Sequence, residues 1–185
     1  MAKASKFLQG KLLLDGGELK GSFFHRTVIL ICQHDANGAF GLILNNPTQN
    51  KVGEVVTADL PQPVKGMPIF VGGPVQPSAL SYVYANPFMP QPGIIDNLYL
   101  GHTLDGLRDM EFQMQSSQIR LFAGYAGWSA GQLEEEMKRD TWLVHPASLD
   151  LVFDEKPEEL WQAVLRKKGW KYRLIAERPD DLSWN

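Results

Sequence analysis

Gly127-Trp128-Ser129-Ala130-Gly131 has the form G-x-S-x-G, which matches a nucleophilic turn in residue type and spacing. Placed between a strand and a helix, such a turn lifts a serine hydroxyl above a sheet for acyl transfer. The rest of the chain supports that chemistry poorly. An acid and then a histidine should follow. Only His145 lies downstream, Asp140 is the one acid of suitable kind and spacing, and both stand too close to Ser129 for that architecture. Ser129 and Gln132 also read as the S-x-x-Q of a capping box, in which the serine hydroxyl takes a helix N–H and the glutamine reaches back. The expectation is a capping Ser129 with no catalytic residue, and a serine hydrolase using Ser129 is the alternative.

Cys32 and His34 stand two apart on a strand, so they should share a face, and His25 or Asp35 could join them around Zn²⁺. A metal centre needs three or four convergent ligands, and no second ligand pair occurs. No metal and no cofactor are expected, with Cys32 as a buried apolar residue. Gly72-Gly73-Pro74 could present backbone N–H groups to an anion. No Lys-Ser/Thr follows and no G-x-G-x-x-G occurs, so a tight turn after a strand is the plainer reading. His102 and His145 are isolated in the sequence, and each reads as structural or solvated. Tyr125, Trp128 and Trp142 read as core aromatics. Arg26, Gly72, Gly73 and Trp128 are the weak candidates for ligand contact.

The elements that position these residues are legible from periodicity. Leu12–Leu14 is a short strand closed by Asp15, Gly16 and Gly17. Thr27–His34 is nearly continuous in apolar residues, as for a strand buried on both faces. Asn37-Gly38 turns it into a hairpin with Phe40–Leu44. Val52–Leu60 has helical spacing, with Asn50 as N-cap and Pro61 and Pro63 as its end. Strands are expected at Ile69–Val71, Leu80–Ala85, Ile94–Leu100, Ile119–Tyr125 and Thr141–Val144. A short helix is expected over Thr103–Glu111. A clearer one runs from Ser129 to about Arg139, with Glu134–Lys138 and Glu135–Arg139 pairs. The last helix opens at Pro157 behind Glu158 and Glu159 and closes on Arg166, Lys167, Lys168 and Gly169. The order lacks the strict alternation of a doubly wound fold. It reads as one α+β domain over 1–185, built on a mixed, strongly bent sheet.

The whole chain limits function further. It has 185 residues, 44% hydrophobic and 21% charged, which suits a globular domain with a sizeable core. A net charge of -3 gives no basic footprint, and no helix-turn-helix pattern is visible, so nucleic-acid binding is disfavoured. Cys32 is the sole cysteine, so no intrachain disulfide can form. With no clean signal sequence and no membrane-length apolar run, a cytoplasmic location and no membrane association are expected.

Four segments carry a resemblance: Phe24-His25-Arg26-Thr27 through His34, Gly38-Ala39-Phe40-Gly41 through Asn45-Asn46-Pro47, Val71-Gly72-Gly73-Pro74-Val75, and Gly124-Tyr125-Ala126-Gly127-Trp128 through Glu136 and on to Trp142-Leu143. In this order and over almost the whole length, the chain resembles the bacterial YqgE/AlgH family. The resemblance implies an α+β fold whose bifurcated mixed sheet curls into a pseudo-barrel with flanking helices. It also implies a cytosolic bacterial protein, and the family name is linked to regulation of exopolysaccharide production. It implies no catalytic residue. Gly21, three before Phe24, stands where many members carry an acid, and Asn46 stands where many carry lysine before Pro47. The functional expectation is a non-catalytic, regulatory protein that binds a small molecule or a protein partner.

Overall fold

The computed structural model describes residues 7–16, 19–109 and 118–177. Among these residues the chain forms nine strands and seven helices around a mixed, branched sheet that does not close on itself. β1 (Lys11–Asp15), β2 (Val28–Asp35) and β3 (Gly38–Ile43) are consecutive antiparallel neighbours. Side chains alternate along them. Leu12, Leu14, Val28, Leu30, Cys32, Leu42 and Leu44 enter one core, and Leu13, Ile29, Ile31 and Ile43 enter another on the opposite face. The near-continuous apolar run of β2 is therefore the signature of a strand covered on both sides.

β4 (Pro47–Lys51) takes up Asn50, so the expected long helix shrinks to α1 (Val52–Val55), with Lys51 at its N-cap. The β-branched Val55-Val56-Thr57 run explains the early stop, because such side chains crowd a helix. Pro63 does not end a helix but sits in the first turn of α2 (Gln62–Lys65), where its missing N–H costs nothing. β5 (Pro68–Val71) and β6 (Val75–Ala85) follow. The expected Ile94–Leu100 strand narrows to β7 (Leu98–Gly101), with only an Ile95–Leu98 bridge before it. α3 (Leu104–Asp109) keeps the core of its expected span, and Glu111 lies outside the described residues.

β8 (Ile119–Ser129) organises the sheet. Its first half pairs with β5, parallel, on one side and with β6, antiparallel, on the other, while its last four residues pair with β3. Gly72, just past β5, donates to Ala123 O and accepts from Ile43 N, both at 2.9 Å. β5 is thus wedged between β3 and β8 where they part, and this makes the branch.

α4 (Gln132–Lys138) covers the second core with Leu133 and Met137. Its Lys138 pairs with Glu135 at 2.5 Å rather than with Glu134. β9 (Trp142–Pro146) closes the edge beside β1. α5 (Leu149–Phe153), α6 (Pro157–Lys168) and α7 (Trp170–Ala176) cover the first core. α6 begins at Pro157 and ends at Gly169 as the sequence implies, but α5 and α7 flank it, each too short to show a helical period.

Candidate functional site

An open cleft of about 760 Å³ lies beside the branch of the sheet. β8 supplies Tyr125, Gly127 and Trp128 to it, β3 supplies Ala39 and Phe40, and β6 supplies Val75, Gln76, Ala79, Leu80 and Ser81. His102, one residue past β7, completes the lining. Tyr82 pairs with Gly101 across β6 and β7, so the next rung sets Ser81 against His102. Ser81 Oγ and His102 Nδ1 are 3.0 Å apart. Ser81 is 2% exposed and His102 is exposed, so the pair runs from the cleft floor to solvent.

Aromatic rings form the wall. Phe40 meets His102 edge-on at 5.6 Å and stacks, tilted by 31°, on Tyr125 at 4.8 Å. Gln76, the one described residue of the lining with a side-chain amide, stands beside them. Its φ of +45° is a conformation that a residue with a Cβ adopts at a cost, and it falls where the β6–β8 register shifts between Val75 and Leu80. Among the described residues, no Asp, Glu, Lys or Arg lines the cleft. A mostly apolar hollow with a few convergent polar groups is the usual form of a small-molecule site.

The residues singled out in the sequence are distributed as follows. Trp128 lines the cleft, yet it is 7% exposed and belongs to the core under α4. Its Nε1 donates to Glu136 Oε2 at 2.8 Å, and Trp142 Nε1 donates to the same oxygen at 2.7 Å. Gly72 and Gly73 are buried against β8. A Cβ on Gly72 would lie 2.3 Å from Gly124 O, and one on Gly73 would lie 2.1 Å from Tyr125 C. The Gly72 N–H is already spent on Ala123 O, so close backbone approach accounts for the glycines. Arg26, at φ +52°, sets its guanidinium 4.8 Å over Trp161. Its N–H donates to Asp15 Oδ2, and its carbonyl accepts from Asn45 Nδ2. Asn45 Oδ1 in turn accepts the Val28 N–H. The motif residues Arg26 and Asn45 thus tie the entry of β2 to the exit of β3.

Ser129 differs from its expected geometry. Extended pairing continues through it, and Gly131, at φ +77°, holds the N-cap of α4 with no side-chain cap bond. Half of the capping box forms: the Ser129 N–H donates to Gln132 Oε1 at 3.1 Å. The hydroxyl donates to that same oxygen at 3.2 Å instead of taking a helix N–H. His145 stands elsewhere, among Lys167, Lys168 and Asp150, and burial together with the two lysines lowers its imidazole pKa.

Cys32 and His34 are parted by a bulge in β2 between Ile31 and Gln33. Cys32 packs under α5–α7, where burial pushes its thiol up. His34 turns to the other side, where Nδ1 accepts the Leu8 N–H at 2.9 Å and Nε2 lies 3.6 Å from Glu134. His25 stands 3.4 Å from the fully buried Asp15. Among the described residues, no group of three His, Cys, Asp or Glu side chains is gathered for a metal.

Sequence reasoning passed over Ser81, Gln76 and the partner of His102. Only the strand-after-strand order of β6 and β7 could have signalled Ser81 opposite His102, and the shortened β7 hid that register.

The family model described as AlgH-like matches residues 12–173. A UPF0301 protein of Chlorobium phaeobacteroides is 36% identical over 181 residues, covering 95% of this chain and 94% of the relative. A UPF0301 protein of Chlamydia pneumoniae is 33% identical over 179 residues, covering 96% and 95%. The solution structure of the AlgH protein from Pseudomonas aeruginosa superposes with a TM-score of 0.75 at 27% identity, covering 97% of this chain and 98% of that one. A crystal structure of a Corynebacterium diphtheriae protein shares the fold, with a TM-score of 0.77 at 23% identity and coverage of 96% and 95%. With its branched α+β sheet and a family match over most of its length, the chain belongs to the AlgH-like family.

Proposed function

We propose that the protein is a cytosolic small-molecule-binding protein with a regulatory role, and that its ligand is an uncharged compound with an aromatic face, seated in the cleft beside the branch of β8. The observation that carries this reading is the cleft's composition. The Phe40–Tyr125 stack offers a planar apolar wall, and Ser81, His102 and Gln76 offer a few hydrogen-bonding groups without a fixed charge. Such a lining favours orientation by polar contacts and affinity by stacking. A buried unpaired thiol suits a reducing compartment, and among the described residues no helix is long and apolar enough to cross a membrane. Amide shift mapping with a panel of uncharged aromatic fragments tests the reading. Shifts gathered at Val75, Leu80 and Gly127, and weakened in Tyr125→Ala, are expected. Fragments that bind elsewhere, or none that bind, would overturn it.

A further inference from the structure

We propose that Ser81 and His102 are a nucleophile and base pair that hydrolyses uncharged esters bound in the cleft. The inference rests on the cleft being the ligand site and goes beyond binding. Its geometric basis is the 3.0 Å separation of Ser81 Oγ and His102 Nδ1 at the surface of a cavity large enough for a drug-sized molecule. Among the described residues, neither side chain has another hydrogen-bond partner. With the imidazole proton on Nε2, Nδ1 accepts from the Ser81 hydroxyl, the arrangement that activates a serine. Phe40 packs edge-on against the imidazole and holds its ring plane where a carboxylate would otherwise orient it. Exposure of His102 lets its proton exchange with water, while burial of Ser81 keeps the hydroxyl away from bulk solvent. Gln76, on its strained backbone, lines the same cleft and carries a neutral amide.

The substrate class follows from the lining. Among the described residues no fixed charge lines the cleft around the pair, so the ester should be uncharged near its carbonyl, and the Phe40–Tyr125 wall suits an aromatic or extended apolar acyl group. In the first step Ser81 Oγ bonds to the carbonyl carbon as its proton passes to His102 Nδ1. The carbon–oxygen bond to the leaving alcohol breaks, and that oxygen takes the proton. In the second step the same nitrogen takes a proton from water as the water oxygen attacks the acyl carbon. Ser81 Oγ then departs with that proton, releasing the acid. One ester and one water give one acid and one alcohol, with no other reactant.

The test uses an alkyl fluorophosphonate, from which a serine oxygen displaces fluoride. The intact native chain should gain one adduct, and peptide fragmentation should place it on Ser81 rather than on nearby Ser78 or on Ser129. Ser81→Ala should gain none. His102→Gln, checked by its urea melt to be folded, should label about 100-fold more slowly, the scale of a lost general base. Mapping on the natural chain identifies the site even if Ser81→Ala fails to fold. No adduct on the native chain, an adduct on another serine, or an unchanged rate in His102→Gln would each overturn the proposal. If fragments still shift Gly127 while Ser81 stays unlabelled, ligand binding stands and hydrolysis falls.

Discussion

At Glu136 one carboxylate oxygen accepts two indole N–H groups, from Trp128 and Trp142, while the other accepts from Gln132 Nε2 at 3.0 Å. Each indole is nearly buried, so an unpaired N–H there would lose its solvent partner without replacement. Glu136→Ala should therefore cost about 2–3 kcal/mol, and Glu136→Gln, which keeps an acceptor oxygen, about half as much. Urea melts followed by tryptophan fluorescence measure both, and near-UV dichroism should report the loosened rings. The same cluster reverses the expected importance of Ser129. Among the described residues its hydroxyl meets only an exposed Gln132 oxygen, so Ser129→Ala should change stability by less than about 0.5 kcal/mol. Gln132→Ala should cost more, since it frees both the Ser129 N–H and one oxygen of Glu136. A larger loss in Ser129→Ala than in Gln132→Ala would restore the capping role that the S-x-x-Q pattern implies.

Among the elements, β8 carries the argument, because three strands meet along it and the cleft opens beside it. Gly72 sits inside the branch, with Gly124 O where its Cβ would be. Gly72→Ala should thus push β5 off β8 and cost more than about 3 kcal/mol, read as a collapsed urea midpoint or loss of soluble protein. Gly131→Ala is the contrast. Its φ is positive, but nothing lies within 4 Å of the new Cβ, so strain alone should cost about 1–2 kcal/mol. The strands were legible in the sequence where burial is two-sided or alternating, as in β2 and β3. They were misjudged where pairing extends an element past its propensity. Ser129 reads as a turn because Gly127 and Gly131 bracket it and it forms a capping pair with Gln132 in sequence, yet pairing with Gly38 keeps it extended. The cleft was less legible still. Phe40, Ser81, His102 and Tyr125 come from four segments, and only the branch brings them together. Of the motif residues that stood out in the sequence, Arg26 and Asn45 tie backbone segments together, whereas Phe40 lines the cleft.

At the scale of the whole molecule, the layer α5–α7 carries groups that couple its stability to pH. The layer is anchored across the fold by Trp161, whose Nε1 donates to Asp15 O at 2.9 Å, and by Lys168 Nζ, which donates to Val144 O at 2.6 Å. Two titrating groups lie at its edge. The Lys167 ammonium, 2.7 Å from Asp150, together with Ser148 holds the Asp150 carboxyl at about 2, below its ordinary value of 3.8. The unfolded chain therefore takes that proton first as pH falls, and the Asp150 contribution is present above about 4 and lost towards about 2. Because both side chains are about half exposed, solvent screening keeps this contribution below about 1 kcal/mol. His145 acts with the same sign higher up. Burial first, and Lys168 and Lys167 next, lower its pKa from the ordinary 6.5. The unfolded chain again binds the proton before the folded one, so stability is full above about 6.5 and declines as pH falls towards the lowered folded value. Acidification should therefore destabilise the protein in two separated steps. His145→Gln should flatten the upper step and leave the lower one, and Asp150→Asn should do the reverse at a small cost at neutral pH. Urea midpoints taken from pH 8 to pH 2 in all three proteins provide the check. A natural chain whose stability rises between pH 7 and pH 5, or an upper step that persists in His145→Gln, would show that another group controls the docking of this layer.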